Sequence, residues 1–517
     1  RQRQMCIRDR SHTVNDSVIY TPIVIDRNHA FTKVDGVLFK QMLKMLSLDF
    51  ICNYDSLILK DTKKINKLAF ALDMAVAGRS DESVWIRQAQ EIRKQMTDSL
   101  IDSAFTYLPE GVKHDEIELI KQKLKRRRLE LEAVASQYYR LLQRTPVVAG
   151  TNQSDYFLIE RQAPDRTILR IYDPETGDCR LEQQFSGKET KELWLYGLAG
   201  NDTFEVKGNT RKDFPIYLIS GEGENQYQLN HSRKIHVYDK DYKYDYQKIK
   251  YHKISFTPWG IYDSDKGISL GTFFTYTMYG FKRAPFTYQH RIGYNYLKGF
   301  MYAGVFPNYD GRRRLYLNAS ISSPRNFENF FGFGNNTAGY KEEKKNYNRG
   351  KLRTYMFNPS FEMDLRKEEV MTFFGSLDMY KAKRTDDRYI YTVYGEDHPI
   401  FRTNYFVGLG ATYRITKQPY SWLPLLETEW TAGWKMNLKK PERNFPYAQG
   451  SLSWNVRFSD RFTWASLMKG TVLFDNDYEF YQAATIDLRG FRDNRFIGKQ
   501  SFYQYSDLRL DMGKLKN

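Results

Sequence analysis

Over the second half of the chain, residues 251–517, apolar and polar side chains alternate with period two. SLSWNVRF (451–458) places Leu452, Trp454, Val456 and Phe458 on one face of an extended strand, and Ser451, Ser453, Asn455 and Arg457 on the other. LETEWTAGWKMNL (426–438) sets Leu426, Trp430, Ala432, Trp434, Met436 and Leu438 against Glu427, Glu429, Lys435 and Asn437. The pattern recurs in TYQHRIGYNYL (287–297), LYLNASIS (315–322) and NYFVGLGATYRI (404–415), and more loosely in SLGTFFTYTMYGF (269–281) and FTWASLMKGTVLF (462–474). Successive side chains of a strand point to opposite faces. Long strict alternation therefore means that one face meets an apolar phase and the other meets water or a polar lumen. Strands of a soluble sandwich are shorter, about 5–6 residues, and have no reason to turn Trp and Tyr outward. An open sheet would leave unpaired backbone groups in lipid, so it must close. The expectation is a transmembrane antiparallel β-barrel over 251–517. The strand count before the chain stops is about eleven.

Residues 11–145 follow the helical period instead. SDESVWIRQAQEIRKQM (80–96) begins with a Ser/Asp cap signal and carries Trp85, Ile86 and Ile92. TDSLIDSAFTYLP (97–109) has Thr97 as N-cap, and Pro109 should end the helix after Leu108. HDEIELIKQKLKRRRLELEAVASQYYRLLQR (114–144) reads as one long helix, with Ile117, Ile120, Leu124, Leu131, Tyr138 and Leu142 as a stripe packed on neighbouring helices.

Residues 146–250 switch to short strands, DYFLIERQ, TILRIYD, ELWLYGL and FPIYLIS, separated by Gly, Asn and Asp. GLAGNDTFEVKGN (197–209) is echoed by SGEGENQYQL (220–229), 23 residues further on. Gly-Asn-Asp before an alternating strand resembles one turn of a calcium-binding nonapeptide repeat. Asn201 and Asp202 are therefore weak candidate calcium ligands. Only about two copies are apparent, and the second lacks the Asp, whereas a calcium roll stacks repeats that share each ion. The bland alternative, a small sheet with Gly-rich turns, is preferred. The fold class is α+β: a mainly helical segment 11–145, a small β-rich domain 146–250, and a barrel 251–517.

Composition changes this picture in three places. Aromatic residues make up 16% of the 517, with 39 Tyr and 34 Phe, as aromatic girdles would require. No run of about 18 apolar residues exists, so helical spans are excluded while strand spans are not. The net charge of +17 raises a nucleic-acid reading. The densest cluster, Lys121, Lys123, Lys125, Arg126, Arg127 and Arg128, is interleaved with Glu118, Glu130 and Glu132, which is the pattern of a solvated helix face. No nucleic-acid partner is expected. Cys6, Cys52 and Cys179 have neither metal nor disulfide-framework spacing.

The opening RQRQMCIRDR (1–10) has nothing apolar enough to start a strand or helix. Back-translated, it reads in one frame as the end of a transposase sequencing adapter, so residues 1–10 are expected to be an adapter artefact. Removing its four arginines and one aspartate takes +17 to +14. On that expectation the chain begins within a gene, and the lack of a visible export signal carries no information.

Near the end stands TIDLRGFRDNRFIGKQSFYQYSDLRLDMG (485–513). LRGFRDNRFIGK resembles the Arg-Gly-Phe/Tyr loop signature of the BamA/TamA superfamily, the bacterial surface-antigen barrels. The matching residues are Arg489, Gly490 and Phe491. The resemblance implies that this loop folds into the lumen and that its arginine pairs with an acid on the inner wall. Glycine permits the sharp turn, and a confined guanidinium needs a bidentate partner. IVIDRNHAFTKVDG (23–36), LKRRRLELEAVASQYYRLL (124–142), ETKELWLYGLAGNDTFEV (189–206) and NFFGFGNNT (329–337) extend the resemblance to a Bacteroidota branch of multidomain members, some described as metallophosphoesterases. POTRA repeats are not recognisable, and because the family usually adds several strands after this loop, the resemblance implies a truncated sixteen-stranded barrel here.

The resemblance implies a bacterial outer-membrane location with residues before about 250 in the periplasm. The implied partners are outer-membrane lipid and unfolded outer-membrane protein clients. The implied role is membrane-protein assembly or translocation, or anchoring of a periplasmic domain. In the same branch IDRNHAF matches a segment that follows a kinase-like loop, which would make Asp26 a weak metal-binding candidate. Asn28 stands where a second acid is usual. No metallophosphatase cluster, nucleophile elbow, phosphate loop or His-Glu-x-x-His motif occurs. No catalytic residue, resident cofactor or confident metal site is assigned to these 517 residues. The alternatives are the barrel portion of a larger metallophosphoesterase or kinase-like enzyme, and a passive channel.

Overall fold

The computed structural model describes residues 7–510 apart from 15–16, 25–30, 46–47, 49, 56, 109–113, 163, 209–212, 231–232, 240–241, 243, 251, 264–266, 284, 309–310, 338–345, 419–424 and 460. The chain divides into two compact units, 1–250 and 251–517.

The first unit opens with an antiparallel hairpin of β1 (Ile7–Val14) and β2 (Ser17–Val24). This corrects the expectation that the opening stretch starts no strand. Ile, Val, Thr and Tyr along SVIYTPIV favour pleated backbone. The main helices are Val37–Met45, Phe70–Val76, Glu82–Gln95, Asp98–Ala104, His114–Leu129 and Leu131–Leu142. Thr97 Oγ1 accepts from Leu100 N at 3.1 Å, the expected cap. The helix it starts ends at Ala104, short of Leu108. There Thr106 N turns back to Ser103 O, and the Ser103 and Thr106 hydroxyls donate to carbonyls three residues earlier, so the ladder closes early. Pro109 lies outside the described residues. The long helix expected over 114–144 is two helices broken at Glu130, whose Oε2 accepts from Ile58 N (2.8 Å) and Leu59 N (3.2 Å).

The remainder of this unit is a short parallel β-solenoid. Its strands are β3 (Val147–Ala149), β4 (Tyr156–Gln162), β5 (Arg166–Tyr172), β6 (Cys179–Ser186), β7 (Leu193–Tyr196), β8 (Thr203–Lys207), β9 (Ile216–Ile219), β10 (Gln226–Leu229) and β11 (Ile235–Tyr238). They form two sheets, β11-β9-β7-β3 and β10-β8-β4-β5-β6. The rungs β3–β4, β7–β8 and β9–β10 stack in parallel register, Leu193 on Ile216 and Thr203 on Gln226. The antiparallel β5–β6 hairpin is inserted between the first two. Phe157, Ile159, Leu169, Leu195, Phe204 and Leu218 fill the core between the sheets. Each rung alone could not bury its apolar face, and stacking buries a continuous one.

The second unit is built on a 13-stranded antiparallel sheet. Its strands are β12 (Lys253–Asp263), β13 (Gly267–Met278), β14 (Tyr288–Asn295), β15 (Gly299–Pro307), β16 (Arg313–Ser322), β17 (Phe327–Asn329), β18 (Arg349–Arg366), β19 (Glu369–Ala382), β20 (Asn404–Lys417), β21 (Leu426–Asn437), β22 (Asn444–Arg457) and β23 (Phe462–Leu473). Off the sheet, β24 (Ala484–Ile486) pairs with β25 (Phe496–Gly498), and β26 (Gln500–Leu510) then completes it. The path runs as a meander from β12 to β26 with β17 to one side, twelve strands where about eleven were expected.

Register turns the alternation of single strands into continuous rows. Leu315, Phe361, Phe373, Ala411, Ala432, Ala448 and Val472 lie opposite one another across seven strands. The adjacent row, on the other face, is Arg314, Glu362, Thr372, Thr412, Thr431, Gln449, Thr471 and Ser501. The face of the first row carries exposed apolar side chains, among them Leu409 (63% exposed), Trp430 (60%) and Phe502 (68%). The connections at 279–287, 308–312, 367–368, 418–425 and 458–461 fall at the end where β12 begins. The opposite end bears the longer excursions 323–348, 383–403 and 474–499.

Candidate functional site

Between β23 and β26 the chain leaves the sheet and packs on its polar face. A single turn, Phe480–Gln482, opens on a Glu479 capping box. Phe480 is buried with Phe330, Tyr380, Ile390, Ile400 and Phe406. Tyr380 and Phe406 alternate with the outward Leu377 and Val407, so they point to the polar side. Beyond this turn the β24–β25 hairpin holds the loop 487–495, and Ile497 O accepts from Gly334 N at 2.8 Å.

The loop carries the three residues expected to form the signature. Gly490 takes φ 84°, which a side chain resists. Arg489 Nη1 and Nη2 donate to Asp507 Oδ1 (2.7 Å) and Oδ2 (2.9 Å). The same guanidinium lies 4.8 Å from the Tyr505 ring centre. Asp507 and Tyr505 belong to β26 and alternate with the outward Phe502 and Leu508, so both point to the polar face. Phe491 packs edge-on to Phe496 at 5.2 Å.

The second stretch that carried the resemblance, NFFGFGNNT, meets this loop. Asn494 Nδ2 donates to Glu328 Oε2 (3.2 Å), and Asn329 Nδ2 to Asp493 O (3.1 Å). Arg495 stands 5.0 Å from the Phe331 ring centre and hydrogen-bonds Thr337 Oγ1. Sequence reasoning singled out both stretches but did not pair them, nor did it name Asp507 or Glu328. The parity of YSDLRL, in which Asp507 alternates with Leu508, is the signal that could have found the first. On the same polar face Arg314 pairs with Glu362 (2.8 Å) and Asp364, and Lys435 with Asp378 (2.9 Å).

The remaining candidates lie in the solenoid. Asp155, Asp202 and Asn225 occupy equivalent corners of three rungs. Asp155 N donates to Asp202 Oδ1 and Asp202 N to Asn225 Oδ1, both at 2.9 Å. One residue earlier Asn201 N donates to Ser154 Oγ (3.1 Å), and Glu224 N to Asn201 Oδ1 (2.9 Å). Phe157, Phe204 and Tyr227 stack beside them at 4.6 and 5.7 Å. The repeat thus has three stacked copies rather than about two. GTNQSDYFL is the unrecognised one, separated from the others by the inserted hairpin.

Asn201 and Asp202 both turn an oxygen to a neighbouring rung's backbone. Asp202 Oδ2 is buried with no hydrogen-bond partner. It faces Gly197, where a Cβ would come within 2.0 Å of it. Burial pushes the Asp202 carboxyl up to about 7. Among the described residues no group of three or more His, Cys, Asp and Glu could hold a metal ion. Asp26 lies outside the described residues.

The basic helix cluster is engaged within its own unit. Lys121 pairs with Glu118 (2.7 Å), Lys125 with Asp102 (2.8 Å) and Arg128 with Asp98 (2.8 Å). Lys123 donates to Tyr54 O, and Arg127 lies 4.2 Å from the Tyr54 ring centre.

A meander of long antiparallel strands, apolar on one face and charged on the other, places the second unit in the class of outer-membrane-type barrel walls. No family model and no curated protein matches the chain. Among solved structures it is similar to BamA from Haemophilus ducreyi lacking POTRA domains 1-3, at 11% identity and TM-score 0.34, covering 47% of this chain and 45% of that one. It is also similar to an anion-selective porin from Comamonas acidovorans, at 11% identity and TM-score 0.27, covering 49% of this chain and 63% of that one. With OmpT of Vibrio cholerae the identity is 7% and the TM-score 0.28, covering 50% of this chain and 76% of that one. The chain thus spans less than two thirds of the length of the first two.

Proposed function

We propose that this chain is part of a bacterial outer-membrane β-barrel protein of the BamA/TamA type, sixteen-stranded when closed. Its role is to assemble or translocate outer-membrane proteins, or to anchor a periplasmic domain. The observation that carries the reading is the pair of neighbouring rows, one apolar across seven strands and one polar across eight. Two further features support it. The three longest connections all fall at the end opposite the one where the chain enters the sheet, as extracellular loops do, and those at the entry end have nine residues or fewer. On this reading residues before about 250 lie in the periplasm.

The bidentate Arg489–Asp507 pair holds a loop against the polar face, which favours an occupied lumen over an open passive channel. The solenoid in the same chain supports the anchoring role. No catalytic step is assigned to these residues, and any metallophosphoesterase or kinase-like chemistry would belong to sequence outside them. The test is Arg489→Ala beside the swap Arg489→Asp/Asp507→Arg, in the full chain folded into micelles. Deuterium uptake over 487–495 should rise in the single variant and fall back in the swap. Unchanged uptake in both contradicts the docked loop.

A further inference from the structure

The outward rows stay apolar or aromatic toward the long-loop end on most strands: Tyr262, Tyr294, Phe300, Ile321 and Tyr405 stand there. β18 and β19 run further than β16 beside them. The row Ile321–Tyr355–Met379–Tyr405 is the last apolar one across these four strands. The next outward pair is Arg353 directly opposite Lys381. The pair after that is Lys351 opposite Lys383, joined by Lys383 N to Lys351 O at 2.8 Å. Like charges directly opposite on a sheet repel, so two such pairs in succession are a cost the fold carries. None of these four side chains makes an ion pair or hydrogen bond among the described residues. They line a cavity of about 680 Å³ together with Arg402 and Arg384. Glu396 and Asp397 also line it, and Arg384 is already paired with Glu396.

We infer that this cavity binds the phosphorylated headgroup of a membrane lipid in the leaflet at the long-loop end. The inference rests on the membrane reading above. Four unpaired cations occupy the first two outward pairs beyond the apolar band, the depth at which lipid phosphates lie. An anion between the two cross-strand pairs relieves their repulsion, and a second cation on the facing strand gives it two-sided contact. Single lysines that snorkel from the band need no cavity and no partner across the strand.

The probe is a fluorescent short-chain phosphatidic acid in dodecyl maltoside micelles holding the full chain, read by anisotropy. Saturable binding is expected. Arg353→Gln/Lys381→Gln should weaken it by roughly thirtyfold, as loss of two cations near an anionic headgroup does. Arg353→Lys should stay within about threefold, since charge is kept. Equimolar inorganic phosphate should not displace the lipid. Weakening below about threefold in the double variant, or displacement by inorganic phosphate, overturns the proposal. Should that variant not fold, Lys351→Gln/Lys383→Gln carries the same expectation. Strand content and protease resistance in undoped micelles report on the barrel reading separately. A chain that folds there and ignores phosphatidic acid defeats this inference alone.

Discussion

The solenoid and the large sheet use one local pattern to opposite ends. Both are strands with alternating apolar positions. In the solenoid those positions point inward, and Phe157, Ile159, Leu195 and Phe204 are fully buried between two sheets. In the large sheet they point outward, and the interior face is held by Arg314–Glu362, Lys435–Asp378 and Arg489–Asp507 pairs. Period two reports only that the two faces meet different phases. Strand length and side-chain size say which phase is outside. Four-residue rungs with stacked aromatic rings close on themselves. Strands of 8–18 residues with outward Trp and Tyr need an apolar solvent.

The sharpest way to break this contrast is to remove one ring from each region. Phe204→Ala leaves a cavity between Phe157 and Tyr227 and should destabilise the first unit by about 3–5 kcal/mol in urea. Phe502→Ala removes a lipid-facing ring without leaving a cavity and should cost the second unit only the ring's transfer, about 1–2 kcal/mol, when unfolded from micelles. Equal losses would mean that the faces have been misread.

A charge placed on each face of one strand sharpens the comparison. Leu409→Arg puts a cation into the outward face and should cost about 2–4 kcal/mol in refolding into vesicles, if it sits near mid-bilayer. Thr412→Arg points to the polar face beside Thr431 and should cost far less.

In the Asx ladder the comparison is sharpened by pH rather than by truncation. Asp202 has its folded carboxyl raised to about 7, against about 3.9 when unfolded. Below both values the group is protonated in either state and costs nothing. As pH rises from about 4 towards 7 the unfolded state ionises first, so this group's contribution to stability falls. Asp202→Asn, which copies the Asn225 rung, should flatten the melting-temperature profile between pH 5 and 8 and raise its alkaline side. A steeper profile in the variant contradicts the buried carboxyl.

Much of this was legible in the chain. Alternation placed the long strands, and their facing residues in SLSWNVRF and LETEWTAGWKMNL match the register row by row. Thr97 was readable because a cap acts locally. What escaped depends on distance. The third solenoid rung was hidden by an inserted hairpin. Glu130 breaks a helix because of Ile58 and Leu59, far away in sequence. Asp507 and Glu328 became partners of the signature loop only once strands 18 and 166 residues from their contacts were brought together.

The central claim is that the outward face touches lipid. A single cysteine moved along β20, with the native cysteines replaced and a fluorophore attached, tests it in vesicles of brominated lipid. Leu409, Ala411 and Tyr413 should be quenched by the lipid, while Gly410, Thr412 and Arg414 should be quenched by aqueous iodide. Uniform quenching along 409–414, or alternation in the opposite phase, contradicts the account.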